Sequence, residues 1–163
     1  MIVVTGNAPR SGTSAMMRAL VELYKPHSYA ELFPEYVAKE QNPEGYWDVK
    51  KEHLWTDAPI PTEENTVIKL WAPMFHRINV DDVKLLVFMD RADFMRQVNS
   101  IERTSSAEGF TVDSKQIADM FINQRTRAQD IFKNTNTLVV DMESFRADPE
   151  LFIDHIREVV PCQ

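Results

Sequence analysis

Arg10, Ser11, Thr13 and Ser14 crowd into one short stretch together with Gly6 and Gly12, two of only four glycines in the chain. These residue types suit an anion. Hydroxyls and free backbone N–H groups donate to its oxygens, and a guanidinium grips them in a planar fork. The flanking sequence says how such a turn is built. Residues 1–5, Met-Ile-Val-Val-Thr, are apolar and β-branched, as a central strand of a parallel sheet requires. Residues 15–23 are good helix formers with an apolar face at Met16, Ala19, Leu20 and Leu23. A strand entering a helix through a glycine-bearing turn aims N–H groups and the helix N-terminus at one point. The chemistry expected there is binding of phosphate or sulfate.

The kind of site turns on one absent lysine. A nucleoside triphosphatase loop reads G-x-x-x-x-G-K-S/T, with lysine bridging the β- and γ-phosphates. Aligned on Gly12, the lysine position holds Thr13 and the first glycine position holds Asn7. The positive charge sits instead at Arg10, inside the turn. Ordinary ATP-dependent phosphoryl transfer thereby loses its central electrostatic part. A dinucleotide fingerprint also fails, because no third glycine follows.

Composition bounds the rest. The 163 residues fit one domain, spanning 1–163, able to bury about 70 % of its unfolded surface. A hydrophobic share of 44 % is ordinary for a folded protein. A net charge of −7 disfavours a nucleic-acid surface, which needs clustered positive charge. A multiply charged nucleotide would then be held by local cations, and Arg10, Lys69 and Arg91 are the candidates. No apolar run approaches the roughly 20 residues of a membrane span. Met1 opens the first strand directly, and the sole cysteine, Cys162, has no partner for a disulfide. A cytoplasmic protein without membrane association is expected. No cluster of Cys, His and carboxylates has metal spacing, so no metal is expected.

The elements that position these residues read as alternating strands and helices. Strands are predicted over 66–70, 84–89 and 137–142, and helices over 93–103, 112–133 and 149–159, with short helices near 35–41 and 49–55. Asp113-Ser114-Lys115-Gln116 has the form of a capping box. Pro149 suits a first helical position. This order implies an α/β fold with a parallel sheet, helices on both faces and ligands at the carboxyl ends of the strands. Met16, Met17 and Met95 are expected in the core.

Pro9-Arg10-Ser11-Gly12-Thr13-Ser14 resembles the 5′-phosphosulfate loop of sulfotransferases that use 3′-phosphoadenosine 5′-phosphosulfate. Cytosolic members carry P-K-S-G-T-T; bacterial and protein-tyrosine members carry P-R-S-G-T-S/T. Asn42-Pro43-Glu44-Gly45-Tyr46-Trp47 is similar to a bacterial N-P-x-G segment, and Val67-Ile68-Lys69-Leu70-Trp71-Ala72-Pro73 to the cytosolic I-K-T-H-L-P. The strand 84–89 with Asp90 and Arg91 resembles the 3′-phosphate motif. Residues 138–149 are similar to the late strand, Y-E-D-L and D-P. The resemblance covers nearly the whole chain in the family's order.

The resemblance implies a P-loop fold, a compact three-layer α/β sandwich. It also implies transfer of a sulfuryl group from that donor to a hydroxyl or amine, leaving 3′-phosphoadenosine 5′-phosphate. Pro9, Arg10, Ser11, Gly12, Thr13 and Ser14 would hold the 5′ end of the donor. Arg10 and Lys69 would serve catalysis as cations; a guanidinium clamps charge but does not readily give up its proton. Arg91 would bind the 3′-phosphate, with Ser100 preferred to Asn99 as its helper; the two differ by about 100° round a helix. The alternatives are a surface lysine on an edge strand for Lys69 and a solvated strand-end residue for Arg91.

Two departures from the family stand out. Trp71 replaces the basic histidine, and indole cannot accept a proton. Glu31, Glu35, Glu44, Asp48 and His76 are nearby, and none is assigned as base. The late R-K-G-x-x-G loop is also missing; residues 104–110 would form either a cover or a plain helix–helix loop. Trp47, Trp55 and Trp71 would stack on adenine, line the acceptor site or pack in the core. The acceptor itself is not specified. Alternative functions are a P-loop small-molecule or nucleotide kinase and a non-catalytic binder of the same nucleotide.

Overall fold

Side chains of strand β1 (Ile2–Gly6) point alternately to opposite sides of the sheet, and each side meets its own apolar cluster. The computed structural model describes residues 1–6, 11–23, 32–35, 56–64, 66–91, 94–107, 109, 111 and 113–161. Within them, α1 (Thr13–Leu23) follows β1, then β2 (Val67–Lys69), two 3₁₀ turns (Ala72–Arg77 and Val80–Asp82) and β3 (Leu85–Asp90). Helices α2 (Phe94–Ala107) and α3 (Ser114–Ile131) lead to β4 (Thr137–Asp141), α4 (Met142–Ala147) and α5 (Pro149–Val159).

The four strands form one sheet in the order β2-β1-β3-β4, every pairing parallel. The register aligns Val4 with Lys69, Gly6 with Met89, and Asp90 with Asp141. Parallel pairing puts all the carboxyl ends along one edge, so β1, β2 and β3 deliver the Gly12 turn, Lys69 and Arg91 to the same side of the molecule. Ile2, Val4, Val67, Val87, Met89 and Val140 pack on one face under α1, α4 and α5. Val3, Ile68, Leu86 and Phe88 pack on the other, beneath the first 3₁₀ turn and α3. There Phe75 meets Phe132 edge to face, with ring centroids 4.8 Å apart. The expected α/β architecture, with helices on both faces, is thus present.

Local chemistry sets the helix ends. The capping box forms: Gln116 N–H donates to Asp113 Oδ1 at 2.7 Å, and Asp113 N–H is 3.5 Å from Gln116 Oε1. Asp148 caps α5 through Leu151 N–H at 3.3 Å, with Pro149 in the first turn as predicted.

Three expectations are corrected. Helix α2 runs on to Ala107, so residues 104–107 belong to a helix and not to a cover. Met95 is 61 % exposed. The buried stripe of α2 passes through Gln97, Val98 and Ile101, roughly 110° round the helix from Met95. The strand predicted to reach residue 142 stops at Asp141, whose carboxylate accepts from Ser144 N–H at 2.9 Å and starts α4 instead. Of the short helices predicted near 35–41 and 49–55, only Glu35 is described, in a turn; the rest of both, and Cys162, lie outside the described residues.

Candidate functional site

Gly6 ends β1 because nothing larger fits. A side chain there would collide with Ser11, whose hydroxyl folds back over it. Gly12 then takes φ = 100°, a conformation that costs other residues about 1–2 kcal/mol. Its carbonyl accepts from Ala15 N–H at 3.0 Å and Met16 N–H at 3.2 Å, which opens α1. A methyl group at Gly12 would strike the thioether of Met142, so the first turn of α4 rests directly on this turn. The N–H groups of Thr13 and Ser14 have no acceptor within the helix.

Ser11 is the unusual member. It is fully buried, and its Oγ has no hydrogen-bond partner. Buried hydroxyls are almost always satisfied, since an orphan costs about 1–3 kcal/mol. An anion oxygen seated in the turn would supply the missing partner. Pro9 and Arg10 lie outside the described residues.

Lys69 ends β2 on the same sheet face as Val67, the face that α1 covers. It is 7 % exposed, and its Nζ donates to Ser14 Oγ at 3.4 Å. The surface-lysine alternative is therefore excluded. Sequence positions 55 apart meet at the start of α1, adding a cation to the hydroxyl side of the turn.

Arg91 follows β3 directly, and its side chain is only 8 % exposed, which excludes the solvated alternative. Its backbone N–H donates to Asp90 Oδ1 at 2.9 Å. Its Nη2 lies 3.4 Å from Glu143 Oε1, and Arg96 Nη1 approaches that same oxygen at 3.0 Å. Arg125 in turn reaches Asp90 Oδ2 at 3.6 Å. On α2, Ser100 is half-buried and Asn99 exposed, so the inward residue of that pair is Ser100.

Sequence reasoning missed Glu143. The available signal was the D-x-x-S pattern at Asp141–Ser144, which starts a helix at the end of a strand and so puts Glu143 at the carboxyl edge of the sheet.

The remaining candidates are not gathered. Trp71 is 37 % exposed at the head of the first 3₁₀ turn, so core packing does not account for it. His76 faces Asp57 on the surface, 3.3 Å from its Oδ1. Glu35 is exposed. Glu31, Glu44, Asp48, Trp47 and Trp55, with the 42–47 segment, lie outside the described residues. Among the described residues no group of three or more His, Cys, Asp and Glu is placed to hold a metal, and no helix is long and apolar enough to cross a membrane. A cavity of about 290 Å³ lies between α3 and β4, lined by Phe88, Phe132 and Val139, away from Gly12 and Lys69.

The arrangement is suited to holding a ligand with two separated anionic groups. One would sit in the Gly12 turn beside Lys69, the other at Arg91, at the carboxyl end of the neighbouring strand β3. Comparison of the chain with family models, curated proteins and solved structures finds no match.

Proposed function

We propose that the protein is a P-loop sulfotransferase that takes its sulfuryl group from 3′-phosphoadenosine 5′-phosphosulfate and passes it to a hydroxyl or amine. One observation carries this reading. A turn with a buried, unsatisfied Ser11 hydroxyl and a buried cation, Lys69, shares a sheet edge with Arg91.

The donor supplies an activated sulfate: its S–O bond breaks as the acceptor oxygen or nitrogen attacks in line, 3′-phosphoadenosine 5′-phosphate leaves, and the acceptor's proton passes to water. The chain's own part is positioning and charge stabilisation. The N–H groups of Thr13 and Ser14 and the Ser11 hydroxyl orient the sulfonyl and 5′-phosphate oxygens. Lys69, held by Ser14, stabilises negative charge at the reacting centre, with Arg10 as the second clamp. Arg91 takes the 3′-phosphate, with Ser100 as helper. The preference for a 3′-phosphorylated nucleotide follows from that last contact.

The test is calorimetric titration with 3′-phosphoadenosine 5′-phosphate against ADP, followed by transfer of labelled sulfate from the full donor to a panel of acceptors. Preference for the 3′-phosphorylated nucleotide together with transfer supports the reading. Failure to bind that nucleotide refutes it. Magnesium-dependent ATP turnover without 3′ preference would instead make the protein a kinase.

One observation favours a second reading. The residue leaving β2 where the resemblance would put a base is the half-exposed Trp71. A protein that binds the nucleotide without catalysis would show tight, 3′-selective binding and no transfer to any acceptor.

A further inference from the structure

The geometry points to Glu143 as a built-in placeholder: its carboxylate occupies the anion position between Arg91 and Arg96, and the incoming phosphate of the ligand displaces it. This rests on the reading that Arg91 receives a 3′-phosphate, and adds to it a second cation, Arg96, and a residue that sets affinity.

Three features carry the inference. First, both guanidinium groups converge on one oxygen, Glu143 Oε1, at 3.4 and 3.0 Å. Two arginines around a single oxygen form a phosphate-like cradle filled by a carboxylate. Second, the fit is poor. Charge-assisted N–H···O bonds are ordinarily about 2.7–2.9 Å, so the Arg91 contact is long. The other oxygen, Oε2, is buried with no hydrogen-bond partner. A buried oxygen left without a donor is costly to keep. A phosphate offers more charge and three terminal oxygens to the same donors. Third, the position is right. Glu143 is the neighbour of Met142, which rests on Gly12, so it sits beside the turn that would hold the other end of the ligand. Arg96 is 59 % exposed at its side chain and lies on the solvent side of the carboxylate's partners. A displaced Glu143 has open space to swing toward, because its side chain is 32 % exposed.

The experiment compares the wild-type chain with E143Q and R96Q. Thermal-shift and calorimetric titrations use inorganic phosphate, 3′-phosphoadenosine 5′-phosphate and ADP. Glutamine keeps the shape of glutamate and removes its charge, and Arg96 is exposed enough for R96Q to fold. If Glu143 is a placeholder, E143Q binds phosphate and the 3′-phosphorylated nucleotide about fivefold more tightly, and R96Q binds both about threefold more weakly. A structural brace that merely holds Arg91 in place predicts the reverse for E143Q, with weaker or unchanged binding, and that result overturns the inference. R96Q with unaltered affinity also overturns it.

The same titrations separate this inference from the functional reading. Tighter phosphate binding by E143Q, without any preference for the 3′-phosphorylated nucleotide over ADP, upholds the placeholder and removes the sulfotransferase assignment. No anion binding by any of the three proteins removes both.

Discussion

Lys69 Nζ stands 3.4 Å from Ser14 Oγ, which ties the end of β2 to the first turn of α1. A lysine buried beside the start of a helix is in a position to raise the anion affinity of that turn. Methionine at position 69 would keep the apolar stem and remove the charge. On the proposed function, Lys69→Met is expected to lower sulfuryl transfer about 10²-fold, the usual effect of losing one donor to a developing oxyanion. Melting temperature should stay within a few degrees. Steady-state rates with a melting curve check both parts.

Ser11→Ala separates stability from binding. The hydroxyl has no partner in the structure, so its removal relieves a buried orphan. The variant should be as stable as wild type, or more stable by up to about 1 kcal/mol, in urea denaturation. On the proposed function, its affinity for 3′-phosphoadenosine 5′-phosphate should nevertheless fall. A large loss of stability would show that the hydroxyl serves the fold.

Gly12→Ala should be severe. The new methyl group meets the Met142 thioether, and the backbone must still hold φ = 100°. Strain and overpacking together are expected to cost about 2–4 kcal/mol, read as a shifted denaturation midpoint.

Arg91→Ala tests the far end of the site. On the proposed function, most of the discrimination between 3′-phosphorylated and plain adenine nucleotides should be lost, with Arg96 keeping a small remainder, while binding of ADP itself changes little. If discrimination survives undiminished in calorimetry, the 3′-phosphate lies elsewhere.

A pH effect follows from the amino group of Met1. Burial, aided by Lys84, lowers its pKa below the ordinary 8.0, against the opposing pull of Asp82 and Glu64. The unfolded chain therefore binds more protons between the lowered value and 8.0. This group's contribution to stability should rise with pH through that window and level off above it. Denaturation midpoints measured across pH 6–9, with and without N-terminal acetylation, would isolate it.

Much of the framework was legible because its signals are local. The apolar β-branched run before Gly6, the Asp113 capping box and Pro149 each act within a few residues, and each appears where expected. Lys69 shows the limit of such reading. Its sequence neighbourhood suits a surface lysine, and only the pairing of β2 with β1 under α1 buries it. Glu143 was hidden for a related reason. Nothing near it in the chain announces Arg91 and Arg96, which the β3–β4 pairing brings alongside. Met95 shows the same limit: its apolar side chain suits a core, and only the packing of α2 on α3 through Val98 and Ile101 leaves its stripe facing outward.

The seat of Met142 on Gly12 also bears on how the protein is made. The residue that props the turn leaves the ribosome long after the turn itself, once β4 has been translated. Until then the early segment has a strand without its neighbours and a loop without its prop. On the proposed function, nucleotide given to a stalled nascent chain that ends before Met142 should find no competent pocket, and ligand capture should begin only when α4 and α5 emerge.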